Sequence, residues 1–285
     1  MSQPNPTMTP TIGVFDSGFG GLTVLRALLQ RIPQAQFAFI GDTARLPYGS
    51  KSRRTIARYA TQSAQFLVRE QGAQYLVIAC NTASALALDA IQDAVSVPVL
   101  GVIEPGASAA RAASRTGDVL VIATDATVHS HAYAAACRAL GLRALEKACP
   151  LLVPLVEEGW TDHPVTAEVV RIYLDELLAE AETQGLNPDT LVLGCTHYPL
   201  LRPLIARSVP HGMQVIDSAE AAAETAARLF LHLDSQIPIQ HPSEERSPTA
   251  QVRCFATDSV EKFERLGSRF LNRPVGKVEL VDLGG

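Results

Sequence analysis

The sequence contains no CxxC pair, and its five cysteines are odd in number. That fits neither a disulfide scaffold nor a zinc site, and it points to reduced thiols in a reducing compartment. Lysine is scarce, with four in the whole chain, none of them in a setting suited to pyridoxal phosphate. No group of His, Cys, Asp and Glu has metal-ligand spacing. Charged residues make up 19% of the chain, and the net charge of −5 excludes a general nucleic-acid surface, which needs clustered Lys and Arg. The one basic cluster, Lys51 with Arg53 and Arg54, stands at a predicted helix start and reads as a solvated face.

Nothing in the sequence reads as a targeting or spanning segment. Residues 1–9 lack a basic n-region and an apolar h-region and are expected to form a disordered leader. The stretch Gln71 to Leu88 carries no charge and has the length of a membrane helix. Gln74, Asn81, Thr82 and Ser84 interrupt it, so a buried strand followed by a helix is the better reading. The expectation is a cytoplasmic protein with no membrane association.

What the chain has is apolar residues, 47% of the total, ample for a sizeable core, and its 285 residues favour two domains of ordinary size over a single large α/β domain. Strands are predicted at Ile12–Phe15, Phe37–Ile40, Tyr75–Ala79, Val97–Val102, Val119–Ala123, Leu191–Gly194, Gln214–Ile216 and Val252–Phe255. Helical periodicity falls at Gly21–Arg31, Thr55–Glu70, Ser84–Val95, Ser130–Leu140, Thr166–Gln184 and Ala219–Leu233. This alternation predicts an α/β fold with largely parallel sheets covered by helices on both faces. Chain crossings near Gly101–Gly106 and Asp217 would put residues 10–102 and 217–285 in a first α/β domain and residues 103–216 in a second. The polar stretch Ser235–Gln251 reads as a surface loop.

Two segments echo each other, Leu76-Val77-Ile78-Ala79-Cys80-Asn81-Thr82 and Leu191-Val192-Leu193-Gly194-Cys195-Thr196-His197, with their cysteines 115 positions apart. In each, an apolar run ends in a cysteine just before a helix-competent stretch. A helix N-terminus offers free N–H groups and partial positive charge, which favour a thiolate. Cys137, Cys149 and Cys254 read instead as structural residues. Ligands of parallel sheets bind beyond the carboxyl ends of the strands, where this chain's polar residues collect.

Asp16-Ser17-Gly18-Phe19-Gly20-Gly21 follows the first predicted strand. It is neither a Walker loop nor a GxGxxG fingerprint, and Asp16 would repel a phosphate. The carboxylate fits an ammonium group or assistance to a thiol, while a turn with an Asp N-cap explains it equally well. Pro47-Tyr48-Gly49, after the second strand, offers a fixed backbone, a hydroxyl and a close main-chain approach, or an ordinary turn. Asn81, Thr82, Thr196 and His197 bring amide, hydroxyl and imidazole groups beside the thiols. His197 could polarise Cys195 or relay a proton. Glu157, in an otherwise apolar stretch, could serve the second half as Asp16 serves the first, or could simply begin a helix. Inverting a carbon centre needs acid and base on opposite faces, and two matched thiols supply chemically equal partners. A thiol of pKa about 8.5 is a modest base, so it must be desolvated and closely placed.

Asp16 to Val24, Pro47-Tyr48-Gly49, Cys80-Asn81-Thr82-Ala83-Ser84, Val102-Ile103-Glu104-Pro105-Gly106 and Gly194 to Leu200, in that order, resemble the signature segments of the bacterial glutamate racemases. The match runs from about Ile12 to Asp217, with a weaker echo over Phe255–Phe270. The resemblance implies two pseudo-symmetric α/β domains with the site at their interface. It also implies a cofactor-independent exchange of L- and D-glutamate that supplies peptidoglycan, and commonly a homodimer. Residue by residue, Cys80 and Cys195 would be the two acid/bases, acting on the D- and L-isomer respectively. Asp16 would assist the first, and Glu157 and His197 the second. Ser17, Pro47, Tyr48, Gly49, Asn81, Thr82, Thr124, Thr127 and Thr196 would join Asp16 and His197 in binding substrate. The alternatives are an aspartate racemase of the same superfamily and a catalytically idle binding protein. A thiol oxidoreductase is disfavoured by the missing CxxC.

Overall fold

A computed structural model of the chain describes residues 10–233 and 250–284. The expected leader and nearly all of the expected Ser235–Gln251 loop lie outside the described residues. The strands are β1 (Thr11–Asp16), β2 (Gln36–Gly41), β3 (Tyr75–Ile78), β4 (Val99–Gly101), β5 (Asp118–Ala123), β6 (Arg143–Ala148), β7 (Thr190–Gly194), β8 (Gln214–Asp217), β9 (Val252–Ala256) and β10 (Val278–Leu280). They form two sheets, ordered β10-β9-β2-β1-β3-β4 and β6-β5-β7-β8. Every pairing is parallel, in agreement with the α/β expectation. β1, β3, β5 and β7 are almost entirely buried runs of Val, Ile and Leu, as strands covered on both faces must be.

The helices are α1 (Leu22–Arg31), α2 (Arg53–Arg69), α3 (Asn81–Leu86), α4 (Leu88–Ala94), α5 (Ile103–Ala113), α6 (Asp125–Ser130), α7 (Ala132–Ala139), α8 (Leu152–Glu157), α9 (Pro164–Thr183), α10 (Arg202–Ser208), α11 (Ser218–Leu233) and α12 (Val260–Leu271). α11 packs against both α1 and α5, and one apolar cluster joins Val14 and Val77 of the six-stranded sheet to Leu120 and Leu193 of the four-stranded one. Each fully buried aliphatic or aromatic side chain in it contributes about 1.5–3 kcal/mol.

The structure departs from the sequence reading in a few places. β6 and β10 were not expected. Both are edge strands, β6 bearing Arg143, Glu146 and Lys147 and β10 the exposed Glu279, and edge positions tolerate charges that erase the apolar signal. α5 occupies the segment read as a crossing, because Pro105 sits in its first turn, where a missing N–H costs nothing. The helix expected over Ser84–Val95 begins at Asn81 and breaks at Ala87. His131, with φ of 53°, separates α6 from α7.

Candidate active site

The central strands of both sheets deliver their carboxyl ends to one cavity of about 320 Å³. From the six-stranded sheet come Asp16, Ser17 and Gly18 after β1, Pro47, Tyr48 and Gly49 after β2, and Cys80, Asn81 and Thr82 after β3. From the four-stranded sheet come Thr124 after β5, Glu157 on α8 after β6, and Cys195, Thr196 and His197 after β7. Of the residues singled out from sequence, only Thr127 does not line it. Its buried hydroxyl lies behind the wall, 3.3 Å from Thr82 Oγ1 and 2.9 Å from Thr124 Oγ1.

Cys80 ends the apolar run of β3 and caps α3, its Sγ accepting the Ala83 N–H at 3.4 Å and donating to Ser17 Oγ at 3.4 Å. Asp16 is 2% exposed, and its Oδ2 accepts the Gly18 N–H at 3.0 Å. Its turn-forming role is therefore real. Its other oxygen, Oδ1, and the Asn81 amide nitrogen are the two buried side-chain polar atoms without a partner among the described residues. The Asn81 oxygen accepts from Tyr133 at 2.7 Å, which orients the amide. An unpaired buried polar atom costs about 1–3 kcal/mol, and both belong to residues of this cavity.

Cys195 is supported differently. It precedes a four-residue 3-10 turn, Tyr198–Leu201, rather than an α-helix. The His197 ring sits 3.3 Å from Glu157 Oε1 through Nε2 and 3.4 Å from Thr196 Oγ1 through Nδ1. Glu157 Oε2 lies 3.5 Å from Lys262 Nζ, and the Phe270 ring meets the imidazole edge-on at 4.9 Å. The Asp16 loop and the Cys195 loop touch directly. Thr23 Oγ1 is 3.1 Å from Thr196 O and 3.0 Å from Gly20 O, and a Cβ on Gly20 would stand 2.4 Å from Thr196 Oγ1, so only glycine fits.

Electrostatics corrects one expectation. The strand-to-helix junctions do not make the sulfurs thiolates in this structure. Burial, reinforced by the Asp16 charge, pushes the Cys80 thiol up to about 11 against the Ser17 and Ala83 hydrogen bonds. Burial pushes Cys195 higher still, against the His197 and Tyr198 backbone N–H groups, and negative charge at Cys80 or Asp16 raises it further. The physical reason is scale: α3 has six residues, and its few N–H groups do not offset full desolvation. Burial also raises Asp16, against the nearby backbone N–H groups of Gly21, Gly18 and Ser17 and the charge of His197. For Glu157, burial pushes upward, but His197 and Lys262 outweigh it and hold the carboxyl below the usual range.

Several cavity residues escaped the sequence reading. Pro150, Val153 and Pro154 line the same wall as the expected Glu157, and their i, i+3, i+4 spacing, with Glu157 at i+7, is the signal that marks one helix face. Asp42 fixes Tyr48 from behind, accepting its hydroxyl at 2.6 Å while also holding Thr257 and Arg45. Lys262 carried no sequence signal. Its place near Glu157 comes from α12, far along the chain.

A model of the Asp/Glu/hydantoin racemases matches residues 12–226. A glutamate racemase of Koribacter versatilis is 53% identical over 291 aligned positions, covering 97% of this chain and 98% of its own. A glutamate racemase from Bacillus anthracis superposes with a TM-score of 0.84 at 35% identity, covering 96% of this chain and 98% of its own. One from Francisella tularensis, solved in complex with D-glutamate, gives 0.82 at 33% identity with the same coverage. The likeness spans both sheets and the segments that carry the cavity, and the chain belongs to the Asp/Glu/hydantoin racemase family.

Proposed function

We propose that this chain is an isomerase that interconverts L- and D-glutamate by proton transfer at the α-carbon, without a cofactor. One observation carries the reading: Cys80 and Cys195 arrive on different sheets and line the same small cavity. One sulfur, as thiolate, removes the α-proton, and the opposing thiol returns a proton to the other face. Cys80 acts on the D-isomer and Cys195 on the L-isomer. Burial that raises both thiols also makes each thiolate a stronger base once formed, in a site where water does not compete.

Asp16 Oδ1, lacking a hydrogen-bond partner among the described residues, accepts from the substrate ammonium, whose positive charge offsets the burial of thiolate and carboxylate together. The free Asn81 N–H group donates to a substrate carboxylate. Ser17, Tyr48, Gly49, Thr82, Thr124 and Thr196 complete the contacts, and Pro47 fixes the backbone between β2 and Tyr48. Thr127 serves by aligning the Thr82 and Thr124 hydroxyls from behind. On the Cys195 side, His197 and Glu157 manage the proton.

The two sheets are the cores of two domains, residues 10–102 with 217–285 and residues 103–216, with the cavity between them. β9 and β10 joining the first sheet support the return of the chain to the first domain after β8, whose last residue, Asp217, still pairs in the second sheet. Among the described residues no helix is long and apolar enough to cross a membrane. The reading extends to a homodimer working in the cytoplasm to supply D-glutamate for peptidoglycan. The deciding experiment offers purified protein single enantiomers of glutamate and aspartate with no added cofactor, followed by circular dichroism. Loss of optical activity with glutamate is expected. Turnover of aspartate instead would move the assignment to the neighbouring racemase, and no turnover would favour a binding protein.

A further inference from the structure

We infer that Lys262, on the helix α12 that connects β9 to β10, is a positioning residue for the Cys195 side of the site: its ammonium holds Glu157 in the place from which that carboxylate orients His197. This rests on the reading of the cavity as a two-thiol racemase site. The geometry is a relay across the two sheets. Lys262 Nζ is 3.5 Å from Glu157 Oε2, and Glu157 Oε1 is 3.3 Å from His197 Nε2. Each carboxylate oxygen thus has its own cationic or imidazole partner. The same ammonium lies 5.6 Å from the centre of the Phe19 ring, on the Asp16 loop. A single side chain from the C-terminal segment therefore touches structures that belong to both sulfurs.

Local rules argue that the residue is placed for this contact. Lys262 is the third residue of a twelve-residue helix, where a positive charge opposes the helix dipole and is disfavoured. Sequences break such rules mainly where another interaction offsets the cost. Around the pair, α12 packs closely. Phe270 meets the His197 ring, and the Arg269 guanidinium lies so near Gly159 that a Cβ there would stand 2.7 Å from it. The charged groups facing Glu157 are His197 from the loop after β7 and Lys262 from α12. Glu158, the residue just after α8, is exposed, and Asp16 interacts electrostatically with His197.

The test uses the full-length protein with Lys262→Met and Lys262→Arg. Removing the ammonium withdraws one of the influences that lower Glu157, so its carboxyl carbon, followed by ¹³C NMR and assigned by its loss in Glu157→Gln, should titrate at higher pH in Lys262→Met and near its original position in Lys262→Arg. In racemisation, Lys262→Met should lower kcat by about two- to fivefold, the scale of a half-exposed ion pair acting through one neighbour, with KM changed less than about twofold. The isotope effects on kcat/KM should diverge. That for L-[2-²H]glutamate should rise and that for D-[2-²H]glutamate fall, as proton transfer at Cys195 becomes the slower event. Lys262→Arg should restore at least half of the rate.

An unmoved Glu157 titration overturns the proposal whatever the activity. So does a rate loss in which both isotope effects shift equally, which would mark a general packing defect of α12. If the unaltered protein fails to racemise glutamate, the functional reading falls by itself. The titration then still decides whether Lys262 holds Glu157.

Discussion

The two sulfur stations are alike in sequence and unlike in support. Cys80 caps a short helix and answers to a hydroxyl and a buried carboxylate, Ser17 and Asp16. Cys195 heads a 3-10 turn and stands beside a chain of ionisable groups, His197, Glu157 and Lys262. Asp16 is pushed up by burial, whereas Glu157 is held down by its cationic neighbours. A strand end fixes where a thiol stands. The groups around it fix what charge it can carry, and here the two halves solve that problem in opposite ways.

The comparison breaks most severely when either sulfur is removed. Cys80→Ala and Cys195→Ala are each expected to lower racemisation by about 10²–10⁴-fold, the range for losing a positioned acid or base. If one variant kept near-normal rates, the pairing of the two stations would be false. Deuterated water sharpens the same point. The product enantiomer should carry solvent deuterium from the earliest turnover while the remaining substrate does not, as read by mass spectrometry. Early exchange into the substrate pool would indicate one shared base.

The residues of both stations were visible in the sequence because each ends a run that must be buried on both faces. Leu76–Ala79 and Leu191–Gly194 have no alternation, so they read as interior parallel strands, and the polar residues at their ends needed a reason. Asp16, Tyr48, Asn81 and Thr196 were found by the same argument. Support from behind was not visible. Asp42 acts on Tyr48 nearby and through Thr257 from far along the chain, Thr23 through the Thr196 carbonyl, and Lys262 through Glu157, the last three by contacts between distant parts of the chain. No periodicity encodes such contacts. The edge strands β6 and β10 and the proline-led helix α5 were missed for a simpler reason. Their sequences follow local tolerances rather than burial.

The opposite charge states of Asp16 and Glu157 give the next expectation. Asp16 has its folded value raised, so above its ordinary value the native state binds more protons than the unfolded chain, and stability falls as pH rises through that window. Glu157 has its folded value lowered, so its contribution is present above its ordinary value and is lost as pH falls through the folded one. At neutral pH, Asp16→Asn should therefore raise the melting temperature by removing a buried charge. Glu157→Gln should lower it. Both should lose activity, Asp16→Asn by about 10²-fold or more. The acid limb of the wild-type rate should change in Asp16→Asn, whose side chain no longer takes up that proton. Melting shifts of the same sign in both variants would refute the contrast.

The smallest effect concerns how the two stations are held at one spacing. Thr23 is 1% exposed, and its hydroxyl lies between the Gly20 and Thr196 carbonyls. Gly20 O also accepts the Thr23 N–H at 3.0 Å, so the hydroxyl matters most to Thr196, the residue after Cys195. Thr23→Val keeps the shape of the side chain and removes only that donor, leaving a buried carbonyl short of a partner at a cost of about 1–3 kcal/mol. Part of that cost will relax into a shift of the Cys195 loop away from the Asp16 loop, because the tight Gly20 contact prevents movement the other way. A few-fold fall in kcat with little change in KM is expected, with Thr23→Ser restoring most of it. The loss should appear equally with either enantiomer carrying deuterium at the α-carbon, since a change in spacing burdens both proton transfers. An isotope effect confined to one enantiomer would instead mean that Thr23 serves the Cys195 station alone.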